Sequence, residues 1–318
     1  MGSSSRALSS LGIITLSLTF LLILMGALVT NNEAGDSVPD WPLAYGRMVP
    51  IGHLQGPVVF EYFHRVVAGS VGILTIVLAA WAFVRENRAA VRIVSAAAVV
   101  GIVGQALLGG VRVRLGESHS FGIATAHAFT AQAFLCILTA LVVLVSPRWQ
   151  VLGTARGHGE TSRTRAARMP PLPRNTLAAV SLAAAGALLL QALAGAGFRH
   201  RILDVAPHVA GAVLAAGLVV AVWIAARRAG AHAPDGSAAR MALVPARLAL
   251  WSVGAQIVLG PLTYFLLRGL SSTPAGELPP EAAAAVVIPA VLHLGLGSAL
   301  IVETTVLSLW SLRASRSA

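Results

Sequence analysis

The stretch PVVFEYFHRVVAGSVGILTIVLAAWAFV, residues 57–84, decides the fold. It stays apolar for more than the about 20 residues that a helix needs to cross about 30 Å of hydrocarbon. It shows no period-two alternation, so it does not suit a strand of a membrane barrel. A backbone inside lipid must then satisfy its own polar groups, which leaves the helix. Seven similar runs lie at roughly 9–30, 92–111, 121–146, 175–196, 206–226, 242–267 and 284–311. Hydrophobic residues make up 56% of the 318, charged residues 11%, and the mean hydropathy is +0.78. Soluble domains carry about 25% charged residues, so the fold class is all-α integral membrane protein with eight transmembrane helices.

The net charge of +11 does not indicate a nucleic-acid partner, because its distribution follows the membrane. All 23 basic residues are arginine. They concentrate at the two ends and in the even-numbered connections: Arg6, Arg85, Arg88, Arg92, six from Arg148 to Arg174, Arg227, Arg228, Arg240, Arg247, Arg313 and Arg316. The odd-numbered connections instead carry most of the acids. The positive-inside rule then places both termini in the cytoplasm of a multi-pass plasma-membrane protein. Residues 9–30 exceed a typical signal core and close on no small-residue cleavage site, so they are expected to be the first retained span. The single cysteine, Cys136, permits no intramolecular disulfide.

The polar stretch 147–174 divides the spans four and four. The expected organisation is an N-terminal half at 1–150, a cytoplasmic linker at 151–173 and a C-terminal half at 174–318. The third span ends Gln105-Ala-Leu-Leu-Gly109-Gly110, the fifth ends Gln191-Ala-Leu-Ala-Gly195-Ala196, and the seventh contains Gln256-Ile-Val-Leu-Gly260. The first contains Leu24-Met25-Gly26-Ala27. Small residues at equivalent depth let helices approach closely. Their recurrence, three times after a leading glutamine, implies an internal duplication into two four-helix bundles of like orientation.

Four of the nine histidines, His64, His127, His208 and His293, fall one in each even span. All lie in a layer about 3–15 Å below the same boundary, at 1.5 Å per residue. Ionisable groups within a membrane are costly and usually functional, and neutral imidazole is a common axial ligand of heme. Two facing histidines in each half could hold one heme per half. Glu61 shares a helix face with His64, where it could orient the imidazole, handle protons, or pair with Arg65. Arg65 could also reach outward to a heme propionate. Glu303, ten residues beyond His293, is expected to make an inter-helix hydrogen bond.

These residues resemble the heme A synthase family. The matching pieces are Gly26-Ala-Leu-Val-Thr30, Pro39-Asp-Trp-Pro-Leu43, Glu61-x-x-His64-Arg65, Leu108-Gly-Gly-Val-x-Val113, and His127 with Ala131. The resemblance implies oxidation of the C8 methyl of heme O to a formyl group for cytochrome oxidase. It implies His64 and His127 as ligands of the substrate heme with Glu61 as the catalytic carboxylate. It also implies His208 and His293 as ligands of a heme b cofactor, with Arg65 as a cofactor-binding candidate. Membrane lipid, a heme O synthase partner and a homo-oligomer complete the expected associations. Many members carry cysteines flanking the Pro-Asp-Trp-Pro motif, where this chain has Val38 and Ala44. An electron-transfer or heme-handling protein without hydroxylase activity would use the same histidines but gives no reason for Glu61. A transporter would instead require broken helices, for which Pro261 and Pro289 are the candidate break points.

Overall fold

The computed structural model describes residues 3–116, 120–154, 173, 175–233, 237–270 and 280–317. Its helices are α1 (Ser3–Asn31), α2 (Pro57–Arg85), α3 (Ala89–Leu115), α4 (Phe121–Val145), α5 (Pro147–Thr154), α6 (Thr176–Arg199), α7 (Val205–Ala231), α8 (Ala238–Met241), α9 (Leu243–Leu270) and α10 (Pro280–Ser317). Eight are long and apolar enough to cross a membrane, all but the short α5 and α8. The chain is therefore a multi-pass membrane protein.

Local chemistry sets the helix ends. Pro57 occupies the first turn of α2, where its missing N–H costs nothing. At the other end of α1, the side chains of Thr30, Asn31 and Asn32 donate to the carbonyls of Gly26, Ala27 and Leu28. α2 and α3 are joined through residues 86–88 alone, so they must run antiparallel. Arg88 fastens that connection by donating to the Leu144 carbonyl at 3.0 Å.

α1, α2, α3 and α4 pack each on the next, and α4 returns to α1, closing a four-helix ring. α6, α7, α9 and α10 close a second ring in the same way. The rings meet through α4 against α10 and α6, and through α1 against α10. Position explains why 56% of the α4 window is buried, against 17–33% for the other spans. Outward apolar residues such as Val100, Val213 and Trp251 remain exposed, as lipid-facing positions should.

The apolar core of each ring fills the end that bears the chain termini. In the first ring Leu8, Val71, Leu78, Val91, Ala98, Leu138 and Leu141 interlock. In the second, Leu177, Val222, Ala226, Ala246, Leu307 and Trp310 do the same. α5, which the hydropathy pattern does not anticipate, closes the seam at that end: Trp149 packs 5.0 Å from Trp310, with the Arg313 guanidinium 4.4 Å from its ring. The four histidines lie toward the opposite end of the rings.

The broken helices that a transporter would need are not found at the candidate positions. α9 runs through Pro261 and α10 runs through Pro289. A transmembrane helix tolerates proline because neighbouring helices and local adjustments satisfy the freed carbonyl.

Candidate functional site

α2 and α4 occupy diagonal corners of the first ring and carry His64 and His127; α7 and α10 are diagonal in the second and carry His208 and His293. Each imidazole lies against a glycine of the preceding long helix. A Cβ at Gly26 would stand 3.3 Å from Cε1 of His64, and one at Gly109 would stand 3.6 Å from that of His127. The corresponding distances are 2.8 Å from Gly195 to His208 and 3.3 Å from Gly260 to His293. The recurrent small residues of the odd spans are thus the cradles of the histidines in the even spans. In the second ring the two imidazole centroids are 6.2 Å apart with their planes at 77°.

All four imidazoles are half-buried. Among the described residues, Nδ1 of His64, His127 and His293 meets no hydrogen-bond partner. Among the same residues, no group of three or more His, Cys, Asp or Glu side chains is placed to hold a bare metal ion. Paired imidazoles suit a metal whose other positions are already filled, as the iron of heme is by its macrocycle. The cradled His208 and His293 rings, 6.2 Å apart, and the unpartnered Nδ1 atoms are a donor set that would suit such a group. The residues therefore fit a heme.

The loop over the first ring is tightly fastened. Arg65 donates to the carbonyls of Asp40 (2.5 Å), Leu43 (3.0 Å) and Val38 (3.1 Å), and pairs with Glu61. The Glu61 carboxylate, only 4% exposed, also accepts from Ser37 Oγ and the Val38 N–H, both at 2.9 Å. Val38 and Ala44 are buried against Tyr62. Apolar packing thus stands where many proteins of the resembled family have cysteines. Asp40 accepts from the N–H groups of Tyr45 and Gly46. The Gly46 bond foremost holds its carboxyl below the usual range, assisted by Tyr45 and the Arg65 charge against a partial desolvation. Trp41 fits against Gly110, where a Cβ would come within 2.8 Å of the indole. The Pro-Asp-Trp-Pro loop therefore rests on the neighbours of both His64 and Gly109.

These contacts bear on the expectations for Glu61 and Arg65, of which their mutual pairing is present. Glu61 makes its hydrogen bonds to the loop and to Arg65, and none of the bonds found joins it to His64. Arg65 has its guanidinium occupied by loop carbonyls and Glu61, which leaves the propionate role without support in the geometry. A guanidinium absent from the sequence candidates lies closer to the need. Arg112, the unspecified residue of the Leu108–Val113 motif, packs on Gly35, and its buried Nε finds no partner among the described residues. Its charge reaches His64, His127 and His200. At the end of α6, burial foremost, then Arg199 and Arg112, lowers the His200 imidazole to about 4. The expected inter-helix bond of Glu303 is present, with Ser252 Oγ donating to Oε1 at 3.1 Å. His119 and His158 lie outside the described residues.

Two four-helix rings, each with a histidine pair toward the end opposite the chain termini, define a multi-pass membrane protein. Residues 9–201 match the COX15-CtaA family, described as cytochrome oxidase assembly protein, and the chain belongs to that family. The match spans the first ring except for the first six residues of α1, together with α6. Among similar proteins, the heme A synthase of Shouchella clausii is 34% identical over 135 residues, 42% of this chain and 44% of the relative. That of Halalkalibacterium halodurans is 34% identical over 145 residues, 41% of this chain and 47% of the relative. That of Alkalihalophilus pseudofirmus is 37% identical over 129 residues, 37% and 41% of the two chains. The chain thus spans less than half the length of these curated relatives in the matched segments.

Proposed function

We propose that the chain is a heme A synthase, an oxidoreductase that converts the C8 methyl of heme O to a formyl group. The observation that carries this reading is the first ring. All of it beyond residue 8 lies within the family match, and it cradles His64 and His127 on Gly26 and Gly109 and is overlaid by the fastened loop 37–46. His64 and His127 hold the substrate heme, and Arg112 offers its propionates a cation. The conversion adds one oxygen atom and removes two hydrogens, a four-electron oxidation that needs an external electron acceptor and an oxygen source, with heme as the redox group when bound. The protein's share is to fix the macrocycle between two imidazoles and to hold the loop over the site. Glu61 organises that loop from beside His64 and is the nearest carboxylate in sequence to handle protons.

In the second ring His208 and His293 hold heme b as a resident redox group. The halves at 1–150 and 174–318 are the two functional units, with the linker 151–173 between them. Both termini face the cytoplasm, which puts the histidine layer near the outer face. Heme O arrives from a heme O synthase, and the small-residue seams provide for self-association.

The test is to express the full chain with a heme O source, purify it in detergent, extract the hemes and separate them by reversed-phase chromatography. Heme A or its hydroxylated precursor beside heme b is the expected result. Heme b alone, where heme O is abundant, would instead indicate a heme-handling protein without oxidase chemistry. His64→Ala or His127→Ala should abolish heme A formation while heme b stays bound.

A further inference from the structure

We infer that Gln105, Gln191 and Gln256 are positioning residues that clamp His127, His208 and His293 for iron, and that His64 alone lacks such a clamp. The inference rests on the heme reading above and deepens it. Each glutamine precedes by four residues the glycine that cradles the histidine in question. Each donates through Nε2 to the backbone carbonyl of that histidine, at 3.4 Å for His127, 2.8 Å for His208 and 2.6 Å for His293. A carbonyl has two lone pairs, so it accepts this bond beside its helical one.

The next helix makes room for the amide each time. Thr130, three residues after His127, contacts Gln105 Nε2 through its hydroxyl at 2.6 Å. Gly211, three after His208, stands where any Cβ would strike Oε1 of Gln191. Gly297, four after His293, would place a Cβ 3.2 Å from Nε2 of Gln256. At the fourth position the pattern changes: Leu22 precedes Gly26 by four residues, and Val67 follows His64 by three. Both belong to the apolar packing of the first ring. Leucine is therefore adequate for packing at this site, and glutamine needs another reason.

The reason is the second ring nitrogen. An imidazole that binds iron through Nε2 carries its proton on Nδ1, and a buried donor needs an acceptor. Nδ1 of His293 and Oε1 of Gln256 are both buried without partners among the described residues, although Gln256 already bonds the His293 backbone. Gln191 brings Nε2 to 3.0 Å from His208 Nδ1 and keeps Oε1 without a partner. That amide thus ties both the ring and the backbone of His208 to α6. His64, with Leu22 in place of the glutamine, lacks the side-chain clamp, and it belongs to the heme that must enter as substrate and leave as product.

The full chain in lipid nanodiscs tests this. Gln256→Leu copies Leu22, and in a His64→Ala background only the second ring is loaded with heme. Heme transfer to apomyoglobin should quicken about 10- to 100-fold, the range for loss of a partner behind a metal ligand. The low-spin ferric electron paramagnetic resonance signal should shift as the imidazole reorients. Transfer and spectrum both unchanged would overturn the inference. Independently of how Gln256→Leu folds, Leu22→Gln with Val67→Thr imports the Gln105–Thr130 pair into the His64 site. It should slow heme loss from the first ring about tenfold, and unchanged loss would overturn the inference. Wild-type protein that carries no heme from heme-replete cells would remove the heme reading itself. A heme-loaded wild type with indifferent variants overturns only the clamp.

Discussion

Replacing Arg65 with alanine separates its two expected roles. In the structure its guanidinium ties the carbonyls of Val38, Asp40 and Leu43 to α2 and neutralises Glu61. Removing one member of a buried ion pair costs about 3–5 kcal/mol, because the other charge is left uncompensated. The Arg65 side chain is 17% exposed and that of Glu61 5%, so the lower end applies, about 3 kcal/mol. The loss falls on the local opening of loop 37–46, and at about 1.4 kcal/mol per decade it amounts to about two orders of magnitude. Hydrogen–deuterium exchange reads it directly at the Val38 amide, which donates to Glu61 Oε2, and at the Tyr45 and Gly46 amides on Asp40. Protection of all three should fall about 100-fold in Arg65→Ala, and Arg65→Lys should recover little, since an ammonium cannot span three carbonyls. Unchanged protection together with a loosened heme would refute the fastening role and restore Arg65 as a propionate ligand.

Other perturbations test the remaining parts. Gly195→Ala places a methyl 2.8 Å from Cε1 of His208, so it should displace the imidazole and lower bound heme in the second ring, read from the Soret absorbance per protein. Arg112→Gln should weaken retention of the first-ring heme several-fold while leaving exchange at the Val38 amide unchanged; equal retention would show that Arg112 touches no propionate. His200, lowered to about 4 by burial and then by Arg199 and Arg112, should stay neutral across pH 5–8. Because the folded value lies below the usual 6.5, the fixation of the 200–204 turn should weaken as pH falls from about 6.5 toward 4. Exchange of its imidazole C2 hydrogen, followed by mass spectrometry, gives the midpoint, and a value near 6.5 would contradict this environment.

The spans were legible because a lipid-crossing helix writes its length into hydropathy. The glycines of the odd spans were legible as approach points, but not what approached them. Sequence spacing cannot say that Gly195 faces His208 rather than another helix. The histidines stood out because imidazole is rare in lipid. Arg112 did not, since one arginine at a helix end is ordinary for a membrane protein, and only the fold brings it to two histidines. The pairing of Glu61 with Arg65 was among the readings the sequence allowed, but its bonds to the loop were not. The three-residue spacing to His64 puts the two on one face, but the loop 37–46 reaches back from outside the helix and takes the carboxylate first. Local periodicity carries no information about a partner that arrives from another segment. α5 escaped notice because its packing is set by Trp149 against the distant Trp310.

The two rings share a scaffold and differ, among the described residues, in the segment joining their first two helices. α1 and α2 are linked by residues 32–56, which fold over His64 through Arg65, Glu61 and Trp41. At the corresponding place α6 and α7 are linked by residues 200–204 alone, too short to cover anything. Leu294 follows His293 where Arg65 follows His64, so the loop-fastening arginine is absent from that position as well. On the proposed reading, a site that only stores a cofactor needs ligands, cradles and clamps, the parts assigned above to His208, His293, Gly195, Gly260, Gln191 and Gln256. A site that transforms its ligand must also admit it, hold one edge in place and limit water during the reaction. On that reading those demands account for the loop, the Glu61–Arg65 pair and the one unclamped histidine all gathering in the first ring. The same division predicts that transplanting residues 32–56 would confer nothing on the second ring. Its effect depends on Arg65, Glu61 and Gly110, which α2 and α3 supply.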